Sequence, residues 1–213
     1  QAYADLVARR PDLGDCLGGL MEAHVALVEA FEAGGKLLLA GNGGSFADAL
    51  HISGELLKSF ERDRGLSPEA RAAFADLPGG EALAAGLEQG FPAVVLGNNA
   101  SLASATLNDT ARAELLFAQE CYALARPGDV LLVLSTSGDA DDLRLACSAA
   151  RAREAATIPF LGKGGGVLRG EVEIAVVAPG QRTRDVQEEH VALYHALCAG
   201  VEAHFHPRMR GRI

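Results

Sequence analysis

Short, uninterrupted apolar runs separated by longer helical segments are the feature that most constrains what this chain can fold into. Two runs, 36–40 and 130–134, lack the apolar–polar alternation of a half-exposed strand, so we predict strands covered on both faces. Strands that alternate with helices favour an open parallel α/β sheet with helices on both faces. The pattern predicts a three-layer fold with five strands, at 36–40, 93–96, 130–134, 157–161 and 172–177, and helices at 15–33, 45–59, 110–126, 139–154 and 184–204.

The chain is predicted to form a single domain, because its 213 residues lie within the usual range for one hydrophobic core. Within this domain, 1–213, we expect an N-terminal helical segment at 1–33, ahead of the first strand. The stretch 61–91 is charged, rich in alanine and interrupted by Pro68 and Pro78. We therefore interpret it as a helical insertion after the second helix.

The overall charge argues against some classes of partner. The formal net charge is −9, whereas binding to a nucleic-acid backbone requires a basic face. The basic run Arg208, Arg210 and Arg212 is short and terminal, so we interpret it as a solvated tail. Because there is no run of 18 apolar residues and no secretory signal opens the sequence, we expect no membrane partner.

The cysteine pattern indicates a reducing compartment. None of the cysteines forms a Cys-x-x-Cys pair, and wide spacing in a chain of this size favours reduced, mostly buried thiols. We therefore expect a cytoplasmic protein. The four residues are Cys16, Cys121, Cys147 and Cys198.

Two loops of small residues each follow a predicted strand. Parallel sheets bind ligands at the carboxyl ends of their strands, and a glycine-rich turn before a helix lets backbone N–H groups approach an anion. Neither loop has the lysine of a P-loop or the pattern of a dinucleotide fold, so we predict a small phosphorylated ligand. The alternative is that these residues only form turns and cap helices. The loops contain Gly41, Asn42, Gly43, Gly44 and Ser45, and Ser135, Thr136, Ser137 and Gly138.

A histidine and a glutamate follow the first loop at helical spacing. His51 and Glu55 are four residues apart, so both project from one face of the predicted helix. An imidazole and a carboxylate can bind zinc or a similar divalent ion, and the carboxylate can move a proton between adjacent sugar carbons. The alternative is a hydrogen-bonded pair on the protein surface.

The last predicted helix contains two candidate histidines. His190 and His195 both suit acid–base chemistry near neutral pH. The neighbours of His195 are also compatible with a packed core position, and His190 is compatible with a solvent-facing one, so spacing alone does not distinguish them. Asp109, after Asn108, is interpreted from the pattern as the N-cap of the helix predicted from 110.

Taken together, these residues resemble the sugar isomerase (SIS) superfamily and, within it, the phosphoheptose isomerases, which act on sedoheptulose 7-phosphate. The string from Gly41 to Glu55 is quite specific for that branch, whereas the Ser-Thr-Ser-Gly turn is common to many SIS domains. The resemblance extends over about 15–205. It rests on the first loop with His51 and Glu55, on Asn108 and Asp109, on the second loop, and on Gln187 and His195.

The resemblance implies a single SIS domain that isomerises a sugar phosphate between its aldose and ketose forms through an enediol. It implies that Glu55 and His195 are the acid–base pair and that His51, Glu55, Gln187 and His195 hold a zinc ion. Because family members are typically tetramers with the active site near subunit contacts, a homotetramer is expected. The implied substrate contacts are Asn42, Gly43, Gly44, Ser45, Asn108, Asp109, Ser135, Thr136, Ser137 and Gln187.

Three features leave details of this interpretation open. Family members usually continue the second loop with Asn-Ser, whereas here Asp139 and Ala140 remove a hydroxyl and add a negative charge. The insertion 61–91 is longer than in the best-known heptose isomerases. Gln187 and His195 are about 12 Å apart along a continuous helix, so they share a metal only if both side chains reach toward it. The alternatives are a non-catalytic sugar-phosphate sensor or adaptor and an isomerase for a different sugar phosphate.

Overall fold

Five parallel strands form the centre of the structure, as predicted. The computed structural model describes residues 1–110 and 112–207, so the predicted tail at Arg208, Arg210 and Arg212 lies outside the described residues. The strand order is β2-β1-β3-β4-β5, and every neighbouring pair is parallel. β1 and β3 are buried along their whole length, which explains their uninterrupted apolar sequences. The strands are β1 (Leu37–Gly41), β2 (Ala93–Val95), β3 (Val130–Ser135), β4 (Ala156–Leu161) and β5 (Val176–Val177).

Helices cover both faces of the sheet and complete the predicted three layers. They are α1 (Ala2–Arg9), α2 (Leu17–Glu32), α3 (Gly44–Leu57), α4 (Pro68–Ala72), α5 (Gly80–Gly86), α6 (Ala100–Thr110), α7 (Leu116–Leu124), α8 (Asp141–Ala152), α9 (Leu168–Glu171) and α10 (Thr183–Phe205). Successive residues of a strand point to opposite faces. Leu37 and Leu39 therefore pack in one core with α1, α2, α3 and α10, whereas Leu38 and Ala40 pack in the other with α7 and α8.

The fifth strand is much shorter than the predicted 172–177. Within 172–177, only Val176 and Val177 form a strand, and they pair with Phe160 and Leu161 of β4. Val172 and Ile174, which precede β5, are partly buried against the two opposite cores, Ile174 against one and Val172 against the other. The apolar character of this segment therefore reflects burial in these cores, and it does not extend the strand.

The helix predicted at 110–126 is wrong in its first part, and so is the assignment of Asp109 as its N-cap. Asn108 and Asp109 lie in the last turn of α6, a helix that the sequence analysis did not predict. The residue that caps α6 is Asn99, whose Oδ1 accepts a hydrogen bond from Leu102 N at 3.1 Å. A short 3-10 helix at Ala113–Leu115 then leads into α7.

The two segments outside the sheet are helical but broken. Within 1–33, the 3-10 helix Pro11–Cys16 separates α1 from α2, and Pro11 stands in its first turn, where a missing N–H is tolerated. Within 61–91, α4 and α5 are short, and an isolated antiparallel bridge joins Gly65 to Glu88. Most residues of this insertion are exposed, so it covers little of the core.

All four cysteines are free and buried, as the spacing predicted. Burial raises the thiol pKa of Cys16 and Cys121 to about 11 and that of Cys147 to about 12. Across residues 1–110 and 112–207, no helix combines the length and the apolar character that crossing a bilayer requires.

Candidate active site

The first loop, 41–45, folds tightly between β1 and α3. Gly43 has a φ of 57°, a left-handed conformation that favours glycine. Gly44 lies directly against the side chain of Gln187, since a Cβ at this position would collide with Gln187 Nε2. Ser45, in the first turn of α3, is buried. Backbone N–H groups of the loop, the Ser45 hydroxyl and the side-chain amide of Gln187 therefore lie together at the N-terminus of α3, where anions are favoured.

The second loop, 135–138, lies beside the first because β1 and β3 are neighbours in the sheet. Its backbone is fixed by a hydrogen bond from Gly138 N to Ser135 Oγ at 3.0 Å. Gly138 has a φ of 74°, and a Cβ there would collide with the carbonyl oxygen of Gly165. The two loops and the start of α10 enclose a cavity of about 360 Å³, here called the loop cavity. Its lining residues are Asn42, Gly43, Gly44, Ser45, Leu134, Ser135, Thr136, Ser137, Ala140, Leu143, Thr183 and Gln187.

Asp139 does not direct its charge into the loop cavity. Its carboxylate accepts a hydrogen bond from Val167 N at 3.0 Å and so faces the loop that follows β4. Ala140 does line the cavity, and its methyl group supplies no hydrogen bond there. On the rim, Lys163 Nζ lies 3.3 Å from Thr183 Oγ1, which brings a cation near the cavity. The sequence analysis missed Lys163, although a glycine-rich run after a predicted strand was an available signal.

Asn42 is oriented by a carboxylate that the sequence analysis also missed. Its Nδ2 lies 3.1 and 2.9 Å from the two carboxylate oxygens of Asp142, in the first turn of α8. The Asp142 Oδ1 accepts a further hydrogen bond from its neighbour Leu143 N, which fixes the carboxylate. The amide of Asn42 is therefore held in one orientation at the edge of the loop cavity.

His51 and Glu55 of α3 meet His195 of α10 in a compact group, here called the His–Glu–His cluster. His51 Nε2 lies 3.0 Å from Glu55 Oε1 and 3.4 Å from His195 Nε2. One ligand-type atom from each residue lies within 4.8 Å of the other two. The structure thus brings together three of the four residues that the family resemblance implied as zinc ligands.

The geometry of the His–Glu–His cluster fits a zinc ion. Ligand atoms bound to a tetrahedral zinc at 2.0–2.1 Å lie roughly 3.4 Å from each other, and the two histidine Nε2 atoms are separated by 3.4 Å. Two imidazoles and a carboxylate are also donors that zinc accepts readily. Burial lowers the pKa of His195, and the neighbouring His51 lowers it further. Both effects favour the neutral imidazole, the form that binds a metal or accepts a proton.

Gln187, Asn108 and Asp109 lie outside this cluster. The side chain of Gln187 packs on Gly44 at the loop cavity, so its role as a fourth zinc ligand stays a prediction. Asn108 Nδ2 donates to Asp109 Oδ1 at 2.8 Å. Both residues are exposed at the end of α6, and neither lines the loop cavity.

The sequence analysis missed Tyr194, which contacts His51, and Asp48, which contacts Tyr194. The Tyr194 hydroxyl oxygen lies 2.9 Å from His51 Nδ1 and 3.3 Å from Asp48 Oδ1. Asp48 is three residues before His51 on α3, so the Asp-x-x-His spacing on one helical face was an available signal. Burial raises the pKa of Asp48, and the hydrogen bond from Tyr194 opposes that rise.

A fully buried ion pair holds the C-terminal end of α3. Arg64 donates hydrogen bonds to the carbonyl oxygens of Leu56 at 2.7 Å and Glu55 at 2.5 Å. Its Nε lies 2.9 Å from Glu202 Oε1, although the N–H is not aligned for a hydrogen bond. The carboxylate of Glu202 also accepts from the backbone N–H groups of Phe60, Glu61 and Arg62, at 2.8, 2.7 and 2.9 Å. This Arg64–Glu202 pair links the start of the insertion to both helices that carry the cluster.

His190 belongs to the core, although the sequence was compatible with a solvent-facing position for it and with a core position for His195. It is 0% exposed, and its ring Nε2 lies 3.1 Å from the carbonyl oxygen of Leu161. Nε2 therefore carries the proton and donates it to that carbonyl. Burial lowers the pKa of His190 to about 4, and the hydrogen bond only partly opposes this.

We expect His190 to make the folded state sensitive to acid. Its folded pKa of about 4 is below the ordinary value of 6.5, so only the unfolded state takes up a proton between these two pH values. The stability from the neutral ring is therefore fully present above pH 6.5 and decreases as the pH falls toward 4, by about 3 kcal/mol at most. Urea unfolding at pH 7.5 and 4.5 measures the effect. The His190→Gln variant, which keeps an N–H donor for Leu161, should show a smaller difference between the two pH values than the natural chain. An equal difference would contradict the assignment.

The parallel sheet, the two small-residue loops and the His–Glu–His cluster define a sugar isomerase domain of the SIS class. Curated relatives identify the branch. A phosphoheptose isomerase from Roseiflexus sp. is 37% identical over 176 residues, which cover 83% of this chain and 77% of the relative. One from Pelobacter propionicus is 35% identical over 203 residues, which cover 95% and 91%. The chain belongs to the phosphoheptose isomerase family, and it is an isomerase.

Solved structures agree with this assignment. The phosphoheptose isomerase from Neisseria gonorrhoeae has a TM-score of 0.72 and 26% identity, over 93% of this chain and 94% of that one. The fold is also shared with a phosphoheptose isomerase from Francisella tularensis, with a TM-score of 0.70 at 24% identity over 94% and 98% of the two chains. A comparison with models of protein families finds no match.

Proposed function

We propose that the chain converts sedoheptulose 7-phosphate into a heptose 7-phosphate. The observation that carries this proposal is that α3 and α10 join the loop cavity to the His–Glu–His cluster. Both helices begin at the loop cavity, and both contribute to the cluster, α3 through His51 and Glu55 and α10 through His195. The relatives, which are named for a phosphorylated heptose, support the same class of ligand.

The separation of the two parts suits a long sugar phosphate. Along α10, Gln187 at the loop cavity is about 12 Å from His195, and along α3, Ser45 is about 15 Å from Glu55. A seven-carbon ketose in its open-chain form has its carbonyl near one end and its phosphate at the other. The phosphate can therefore occupy the loop cavity while the reacting carbons approach the cluster.

The phosphate is proposed to bind to the hydroxyl groups of the loop cavity and to backbone N–H groups at the start of α3. These donors bind an anion without a buried lysine, and the helix N-terminus adds a favourable dipole. The remaining residues implied by the family resemblance would contact the open-chain sugar. The proposed phosphate ligands are Ser45, Ser135, Thr136 and Ser137, and the proposed sugar contacts are Asn42, Gly43, Gly44, Gln187, Asn108 and Asp109.

Glu55 and His195 are proposed to move the protons of the reaction. A carboxylate oxygen of Glu55 takes a proton from C1 of the open-chain ketose, and the electron pair of that C–H bond forms the enediol. A proton is then returned to C2, while the hydroxyl proton on O1 is lost and O2 gains one, so that an aldose results. His195, as a neutral imidazole on the opposite helix, is placed to exchange the oxygen-bound protons.

A zinc ion bound by His51, Glu55 and His195, with Gln187 as the proposed fourth ligand, would polarise the sugar oxygens as a Lewis acid. Because His51 and Glu55 belong to α3 and His195 belongs to α10, the bound ion would also link these two helices. We further propose a cytoplasmic homotetramer. The exposure of His51 at the protein surface is compatible with a second subunit beside the cluster.

The direct test is turnover. Purified protein with zinc supplied is incubated with sedoheptulose 7-phosphate, and the product is followed by NMR. A new anomeric signal from a heptose phosphate is the expected result. Turnover only with another ketose phosphate would show that sedoheptulose 7-phosphate is not the substrate, and the proposed isomerisation reaction would still stand. Absence of turnover with every ketose phosphate would remove the catalytic proposal and favour the alternative of a non-catalytic sensor or adaptor, for which Ala140 in the loop cavity is the motivating observation.

A further inference from the structure

We propose that Tyr194 and Asp48 position His51 for the proposed metal site. In this arrangement Tyr194 donates its hydroxyl proton to Asp48 and accepts the Nδ1–H of His51, which leaves the Nε2 lone pair of His51 facing the cluster. The inference rests on the metal site of the proposed function and adds two residues that do not themselves contact the ion.

The direction of these hydrogen bonds follows from counting protons. The Tyr194 hydroxyl has one proton and two acceptor lone pairs, and it lies within hydrogen-bond distance of both Asp48 Oδ1 and His51 Nδ1. A carboxylate only accepts, so the tyrosine proton belongs to Asp48. When a metal occupies Nε2 of His51, Nδ1 carries the imidazole proton, and the tyrosine oxygen accepts it.

The packing around Tyr194 makes this arrangement rigid. The side chain is 0% exposed, and its ring meets that of His51 edge-on, with centroids 5.5 Å apart at 75°. Asp48 and His51 stand on adjacent turns of α3, whereas Tyr194 is fixed on α10. The hydroxyl therefore sets the orientation of the imidazole from the opposite helix.

The other ring nitrogen of His51 gains its function from this constraint. Nε2 lies 3.0 Å from Glu55 Oε1 and 3.4 Å from His195 Nε2, and once a cation displaces the proton shared with Glu55 it presents a lone pair to the cluster. Three electron-rich atoms in such proximity favour a cation between them. Hydrogen bonds to the non-ligating nitrogen of a metal-binding histidine typically contribute about 10–100-fold to metal affinity.

The chain contains a matched control for the experiment. The Tyr3 hydroxyl lies 2.8 Å from His24 Nδ1, which is the same tyrosine–histidine contact outside the His–Glu–His cluster. Tyr3→Phe therefore removes a comparable hydrogen bond between buried or half-buried side chains, and His24 is not a proposed ligand.

The test measures zinc binding and histidine tautomers, and it does not depend on activity. Zinc affinity is determined by competition with a chromophoric chelator, and NMR correlations of the ring nitrogens identify which nitrogen of His51 is protonated. We expect Tyr194→Phe to raise the Kd for zinc about 10–100-fold, with Asp48→Asn changing it in the same direction and Tyr3→Phe within about twofold of the natural chain. In zinc-loaded natural protein, His51 should carry its proton on Nδ1, with a resonance that moves in Tyr194→Phe.

Several outcomes would overturn the inference. These are an unchanged zinc Kd in both Tyr194→Phe and Asp48→Asn, an equal loss in Tyr3→Phe, or a His51 Nδ1–H resonance of the zinc-loaded protein that Tyr194→Phe leaves in place. If Tyr194→Phe fails to fold, Asp48→Asn still decides. A natural chain that binds no zinc would contradict the proposed metal site, whereas zinc binding that both substitutions leave unchanged would contradict only the positioning role.

Discussion

Replacing Glu55 with glutamine is expected to lower kcat for sedoheptulose 7-phosphate by about 10²–10⁴-fold. The amide has nearly the same shape as the carboxylate but cannot take a proton from carbon. The loop cavity, where the phosphate is proposed to bind, does not include Glu55, so KM should change much less than kcat. Initial rates at saturating zinc measure both constants.

The control for this substitution is Glu29→Gln. Glu29 is an exposed residue of α2, so its replacement alters the net charge equally and should leave kcat within about twofold of the natural value. A kcat for Glu55→Gln within tenfold of the natural chain would exclude Glu55 as the base. A large rise in KM with an unchanged kcat would assign Glu55 to substrate binding.

The Arg64→Met variant is expected to lose about 3–5 kcal/mol of stability. Removal of the guanidinium leaves the carboxylate of Glu202 buried without its cation, at a site where it is 1% exposed. It also leaves the carbonyl oxygens of Glu55 and Leu56 without the hydrogen bonds that end α3. Urea unfolding at pH 7 gives the change in free energy.

A surface ion pair provides the comparison. Arg182 and Asp185 form a solvent-accessible pair at the start of α10, and such pairs contribute little because water screens them. Asp185→Asn should therefore leave the unfolding midpoint nearly unchanged. A loss in Arg64→Met no larger than that in Asp185→Asn would show that the buried pair does not stabilise the fold as proposed.

The sequence predicted the parts of the molecule that depend on local pattern. The apolar runs of β1 and β3 are buried on both faces, so their composition alone indicates a central strand. The loops that follow them converge because neighbouring parallel strands end at the same edge of the sheet. The His51–Glu55 contact follows from helical spacing.

Features that depend on distant packing were not predictable in the same way. His190 and His195 are five residues apart on one helix and therefore face different sides, but which side meets the sheet depends on what packs there. Arg64 and Glu202 are separated by most of the chain, and no local pattern pairs them. α6 was missed because it is mostly exposed and has little apolar periodicity, so its capping residue Asn99 was the only strong signal.

The buried thiols make chemical labelling a measure of how often the molecule opens. A thiol reacts through its thiolate, and pKa values of about 11 to 12 for Cys16, Cys121 and Cys147 leave almost none of that form at neutral pH. An alkylating reagent therefore modifies these residues only when the surrounding layers separate. Cys121 and Cys147 report on the layer of α7 and α8, whereas Cys16 reports on the opposite layer. The order in which they react would show which side of the sheet loosens first.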